Sequence, residues 1–265
     1  MAVPWDARAL AGPCAAAAAA RSVAAHSVYC SVVSGAARVK DLAVAIGGEA
    51  LALATRALFR TLRFESLGHE QVVAHVRAGR AVVLVGWHGH DLIHLAAFRR
   101  MFPEARGAII VEDNTAGRLL KRAAARLGVD GTALSLDPDS TRSARGIVRF
   151  AALVRAGRLG LLAVDGPAGP AREVKPGAAF IARRADAVLI PCATAARPAV
   201  GLPRWDRHLV PLPFARTVVV IGDPIETRSP ANDPALTVES LTEAIARSLG
   251  DVAARASARC RPPAD

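Results

Sequence analysis

Aromatic residues are scarce in this 265-residue chain, at 4%, with a single tyrosine. A nucleic-acid surface built on stacking side chains is therefore disfavoured, and no recognisable DNA- or RNA-binding module is present. Lysine is nearly absent too, confined to Lys40, Lys121 and Lys175, so arginine carries the net charge of +11. Cysteine is limited to Cys14, Cys30, Cys192 and Cys260. None forms a C-x-x-C pair, which argues against a zinc knuckle or a disulfide scaffold and fits a reducing compartment. The opening MAVPWDARALAGPCAAAAAARSVAAHS lacks a basic segment before its apolar run, and Arg21 and His26 interrupt that run. Neither a secretion signal nor a spanning helix is expected there.

What is present is apolar and cationic. At 52% hydrophobic content the chain is long enough for one large α/β domain with a sizeable core. Its arginine surplus attracts polyanions, an anionic membrane face or phosphorylated substrates among them. Residues 1–65 are Ala-rich and without a clear strand, and form an expected N-terminal helical segment separate from an α/β domain at 66–265. Within 42–68, Leu51, Ala54, Leu58 and Leu62 share a helical face while Arg56, Arg60 and Arg63 fall on more polar ones. Such a helix suits either a membrane surface or packing on the main domain.

From residue 81 short apolar runs alternate with helical patterns. Strands are expected at 81–86, 107–111, 132–136, 159–164, 187–192 and 217–222. Helices are expected at 91–101, 115–127, 140–156, 177–185 and near 237–258, with a long proline-containing loop over 196–216. Asn114 or Thr115 would cap one helix, Gly128 would end it, and Pro176 would open another. The alternation predicts a mainly parallel sheet covered by helices on both faces, with the site beyond the carboxyl ends of its strands.

Two motifs stand at such ends. VVLVGWHGHDLIHLA (82–96) places His88, His90, Asp91 and His94 after a strand. As a metal cage the spacing fails, because Leu92 stands where a metallo-β-lactamase-like pattern needs aspartate, and only His208 remains downstream. A plainer expectation makes Asp91 a helix N-cap, His94 half-buried and His90 a solvated loop residue. His88, with Trp87 at the strand end, is placed to take a proton from an alcohol. The second motif, AVDGPAGPAREVKPG (163–177), makes a tight loop of Asp165, Gly166, Pro167, Gly169 and Pro170. Arg172 and Lys175 then precede a helix start at Pro176 and Gly177, an arrangement that suits either phosphate or a plain capped turn.

Four spaced stretches, GWHG (86–89), DGPAGP with VKPG (165–177), ARRADAVLIPCA (182–193) and RWDRHLVPLPFARTVVVIGDPIE (204–226), resemble the lysophospholipid acyltransferase superfamily. Within it they resemble a bacterial branch marked by W-H-G and D-G-P-x-G-P, over roughly residues 50–250. The resemblance implies a glycerol-3-phosphate/lysophospholipid acyltransferase-like fold. It further implies transfer of a fatty acyl group from coenzyme A or acyl carrier protein to a lipid hydroxyl, with no cofactor beyond that donor. By the same likeness His88 is the general base. Trp87, Asp165, Gly166, Pro167, Gly169, Arg172, Lys175 and Gly177 serve the substrate, and Arg145 is a further anion contact. Most of the superfamily has an acid five residues after the histidine; here Ile93 stands there, leaving Asp91 or Asp165 to orient His88. Ala168 occupies a position where relatives often carry arginine. The implied setting is peripheral, on the cytoplasmic face of the inner membrane. Two other readings stay open: a lipid- or acyl-carrier-binding protein of the same fold without turnover, and a metal-dependent hydrolase using the 88–94 histidines.

Overall fold

Alternation of apolar side chains along the strands is what covers the sheet on both sides. In β2 (Ala81–Gly86), Val83 and Val85 enter one core cluster while Val82 and Leu84 enter another. Successive strand side chains point to opposite faces, so a run of valines and leucines feeds both layers. The same split divides Leu189 from Val188 and Ile190, and Val218 and Val220 from Val219 and Ile221.

The computed structural model describes residues 41–134, 141–166, 168–228 and 236–261. The chain divides into two compact units, Met1–Ile46 and Gly47–Asp265, ahead of the 65/66 boundary drawn from composition. Helix α1 (Asp41–Thr61) is followed by β1 (Arg63–Leu67), α2 (His69–Arg77), β2 and α3 (Asp91–Met101). Next come β3 (Gly107–Glu112), α4 (Thr115–Arg126), β4 (Val129–Leu134), α5 (Thr141–Arg155) and β5 (Leu159–Ala163). The chain then runs through α6 (Gly177–Ala185), β6 (Ala187–Gly201), β7 (Leu209–Ile221) and α7 (Val238–Cys260). The seven strands lie in the order β1-β7-β6-β2-β5-β3-β4. Every neighbouring pair is parallel except β6 with β7. The expected mainly parallel, helix-covered α/β sheet is therefore what forms.

Local signals set most boundaries. The Asn114 side chain accepts from the Gly117 N–H at 2.8 Å and starts α4. Gly128, at φ 79°, turns the chain after that helix, and Pro176 stands immediately before α6. Phe98 and Phe150 are fully buried on opposite sides of the sheet, and truncating either to alanine is expected to cost about 3–5 kcal/mol.

Three expectations need correction. The span 196–216 is the outer half of a long β6–β7 hairpin, not a loop; its prolines hide the strand pattern, and Pro198 falls where the register shifts between Arg197 and Ala199. β4 begins at Val129, earlier than the expected 132. In α1 the buried stripe is Ala52, Thr55 and Phe59, continued by Leu62 just past its end, whereas Ala54 is exposed. Phe59 is the bulkiest apolar side chain available there, and burying it turns the helix off the face containing Leu51 and Ala54.

Candidate active site

The parallel pairing of β2 with β5 brings two loops together, because both strands end at the same edge of the sheet. After β2 the chain makes a short 3-10 turn, His88–His90. After β5 it enters the loop that contains Asp165. Asp165 is buried, and its two carboxylate oxygens accept from the backbone N–H of His88 at 2.9 Å and of Arg172 at 3.1 Å. It therefore ties the loop to the turn. β6 continues past its pairing with β2 as far as Gly201, which carries the hairpin tip at 202–208 back over the turn.

The tip supplies what the sequence reading lacked. Asp206 Oδ2 lies 2.8 Å from His88 Nδ1, and the carboxylate is fully buried. Burial alone would push the Asp206 carboxyl up, but the hydrogen bond from His88 and the charge of Arg204, with lesser contributions from His88 and His208, outweigh it and hold the group below its ordinary value. A carboxylate can only accept, so Nδ1 of His88 carries the hydrogen, and in the neutral ring Nε2 is left with its lone pair. His208 Nδ1 stands 3.4 Å from the same oxygen, and Arg204 Nε 3.5 Å from Oδ1. Trp205 packs on the His88 ring with centroids 5.1 Å apart.

Two glycines make this approach possible. A Cβ on Gly89 would sit 2.3 Å from the Asp206 carbonyl oxygen, and one on Gly169 would sit 2.7 Å from the Trp205 ring. Gly169 is also at φ 73°, a conformation that favours glycine. The glycine of the W-H-G motif thus makes room for the acid that pairs with the preceding histidine.

The remaining histidines part company with His88. His90 is buried rather than solvated, and its Nδ1 accepts from the Thr194 N–H at 3.4 Å. His94, also buried, has Nε2 3.5 Å from Cys192 Sγ. Burial holds both rings neutral: His90 is lowered to about 4, with Arg172 and His208 adding to the effect, and His94 to about 3 with His90 adding. Nδ1 of His90 is taken by the Thr194 N–H and Nε2 of His94 faces Cys192, so the histidines of the 88–94 run do not converge on one point. Among the described residues, the group able to offer a cation three ligand atoms is His88, Asp206 and His208, all within 4.8 Å of one another.

Asp91 is the first residue of α3 rather than its N-cap, since His90 holds the cap position without a side-chain bond. Burial pushes its carboxyl up to about 7; nearby His88 opposes this, while Asp165 and Asp206 reinforce it. The hydrogen-bonded partner of His88 is Asp206, neither Asp91 nor the Asp165 side chain.

A cavity of about 420 Å³ opens beside the turn, walled by Trp87, Gly89, His90, Asp165 and Asp206 and flanked by Arg172. Gly166 turns the loop at φ 70°, and Pro167 lies outside the described residues. Lys175 pairs with Glu173. Gly177 opens α6 on the exposed surface. Arg145 sits on the exposed side of α5 and does not line the cavity. Of the residues expected to serve the substrate, Trp87, Asp165 and Arg172 reach the cavity, while Lys175, Gly177 and Arg145 do not.

The structure is similar to the crystal structure of the 1-acyl-sn-glycerophosphate (LPA) acyltransferase PlsC from Thermotoga maritima, with a TM-score of 0.50 and 15% sequence identity. The similarity covers 86% of this chain and 84% of that one. The fold is that of a PlsC-type acyltransferase. In sequence, the chain is 24% identical over 171 residues to an uncharacterised protein of Rickettsia prowazekii (strain Madrid E), covering 64% of this chain and 75% of the relative. No family model matches. Sequence reasoning passed over Asp206 and Trp205 and weighed His208 only as a spare metal ligand, although RWDRH stands inside one of the stretches that carry the resemblance. The available signal was an aspartate and a histidine flanking an arginine, in a segment whose prolines read as loop.

Proposed function

We propose that this protein transfers a fatty acyl group from an acyl thioester to a hydroxyl of a lysophospholipid or related lipid. The observation that carries the reading is the His88–Asp206 pair, set at the carboxyl ends of the strands in an acyltransferase fold. His88 Nε2 takes the acceptor hydroxyl proton as the oxygen attacks the thioester carbonyl. The C–O bond forms and the carbonyl π pair moves onto oxygen. Collapse of that tetrahedral centre breaks the C–S bond, and the departing thiolate receives the proton from His88. Asp206 fixes the ring and balances its transient positive charge. The donor is acyl coenzyme A or acyl carrier protein, and the scheme needs no other cofactor.

Thiol release from acyl thioesters in the presence of a lysolipid panel tests this reading. His88→Ala is expected to lower kcat by about a thousandfold or more, and Asp206→Asn by about a hundredfold or more. The half-exposed His88 ring carries little packing, so the first variant should keep its unfolding midpoint. His90→Ala and His94→Ala should act mainly through stability. Wild-type protein that binds lipid but releases no thiol would establish instead a binding protein that kept the fold. A second reading has one observation in its favour, the His88, Asp206 and His208 ligand set. Under it the protein is a metal-dependent hydrolase, and a chelator would abolish activity while His208→Ala would be as severe as His88→Ala.

A further inference from the structure

We propose that His88, Asp206 and His208 form a binding site for a divalent transition-metal ion of the zinc class, and that a bound ion silences the site by occupying Nδ1 of His88. Asp206 Oδ2 is the meeting point, with His88 Nδ1 at 2.8 Å and His208 Nδ1 at 3.4 Å. One ligand atom from each of the three residues lies within 4.8 Å of the other two. Zinc bonds of about 2.0–2.1 Å at tetrahedral angles put neighbouring ligand atoms about 3.3 Å apart. The trio is thus nearly spaced for an ion, and His88 needs to draw back from Asp206 by only about half an ångström.

The independent observation is the other oxygen of the same carboxylate. Asp206 Oδ1 is buried and has no hydrogen-bond partner among the described residues. Arg204 Nε, at 3.5 Å, stands beyond ordinary hydrogen-bonding distance. Buried charges are paired, hydrogen-bonded or bound to metal, so this unpaired oxygen calls for a cation. An entry path is open, because the His88 and His208 side chains are 27% and 15% exposed. Two imidazoles and a carboxylate suit zinc and its transition-metal neighbours, whereas magnesium and calcium favour oxygen alone.

The effect on the site follows from how imidazole holds its hydrogen. A neutral ring has one N–H and one lone pair. An ion on Nδ1 takes that lone pair, so the hydrogen passes through solvent to Nε2 with no net proton lost. Nε2 then donates, and it can no longer accept the proton of an alcohol. The metal site stands on its own geometry; its inhibitory effect rests on the acyl-transfer reading. The sign is opposite to that of a metal-dependent hydrolase, in which the ion would be required.

The test titrates zinc chloride into the full chain without a histidine tag, against a chromophoric chelator, and records imidazole nitrogen NMR spectra before and after. A single equivalent should bind, magnesium should not displace it, and the His88 hydrogen should move from Nδ1 to Nε2. His88→Ala and His208→Ala should each weaken binding by about a hundredfold or more, since even outer-shell changes cost about 10–100-fold. His75→Ala, on α2, should bind as wild type does. Arg204→Gln, at an exposed side chain, should tighten binding about two- to fivefold by removing a competing cation. Absence of stoichiometric binding overturns the proposal, as does equal affinity in wild type and both site-histidine variants, or a His88 hydrogen that stays on Nδ1 at saturating zinc. Acyl transfer is scored separately as lipid product. Saturating zinc should lower it about a hundredfold or more, and activity that needs zinc would overturn the inhibitory role. No product with or without zinc would sink the enzymatic reading and leave the metal site standing on its binding data.

Discussion

Asp91 binds a proton more readily in the folded protein than in the unfolded chain, because burial pushes its carboxyl from an ordinary 3.8 up to about 7. Its contribution to stability is therefore complete below about pH 4 and is lost as the pH rises through 7. Asp91→Asn should remove that loss and raise stability at pH 8 by on the order of 2 kcal/mol, as read from urea unfolding at pH 5 and pH 8. A variant no more stable than wild type at pH 8 would refute the burial argument. The buried histidines slope the other way. His90 and His94 are lowered from 6.5 to about 4 and about 3, so their stability is present above about pH 6.5 and is lost as the pH falls. The Asn variant should keep this acid limb unaltered. If Asp91 instead serves catalysis directly, activity would fall in the variant while stability rises.

At the scale of elements, the β6–β7 hairpin does two jobs with opposite faces of sequence. Its tip delivers Asp206, while Val200, Leu202, Leu212 and Phe214 stay exposed, Phe214 at 66%. Large apolar groups held at the surface beside the proposed acyl-transfer site suit insertion among acyl chains. The double change Leu212→Ser with Phe214→Ser is expected to lower partitioning onto anionic vesicles about tenfold without altering the unfolding midpoint; unchanged sedimentation with vesicles would exclude the hairpin as a contact. The same element shows where sequence reading reaches its limit. His88 and Asp165 were legible because each follows an apolar run in a short local motif, β2 because its own apolar run AVVLVG stands out, and α4 and α6 because Asn114, Gly128 and Pro176 are local signals. Asp206 was not. Its partner is 118 residues away, Pro198, Pro203, Pro211 and Pro213 break the strand pattern around it, and no spacing rule links a hairpin tip to a turn across four intervening strands. β1 was hidden for a related reason: RFESL alternates charge with apolar residues too briefly to stand out from the helix before it.

For the whole molecule, charge and the first helix bear on location. One described helix, Asp41–Thr61, is long and apolar enough by composition to cross a membrane. Phe59 and Leu62 at its end are buried in the core, and Arg56 and Arg60 are exposed on it. Drawing that end into a bilayer would uncover core and sink two guanidinium groups, each costing about 2.5–3.5 kcal/mol at mid-depth. With a net charge of +11, attachment at an anionic surface is the expected mode. Carbonate or high-salt washing of membranes should release the protein; retention through both would establish an integral span. The long separation between His88 and Asp206 also has a consequence in time. A ribosome adding about 5–20 residues per second exposes the histidine many seconds before the hairpin that completes it. Until that hairpin emerges and settles against Gly89, the nascent chain carries His88 without Asp206, so under the proposed function the newborn protein stays silent towards thioesters until its sheet is nearly whole.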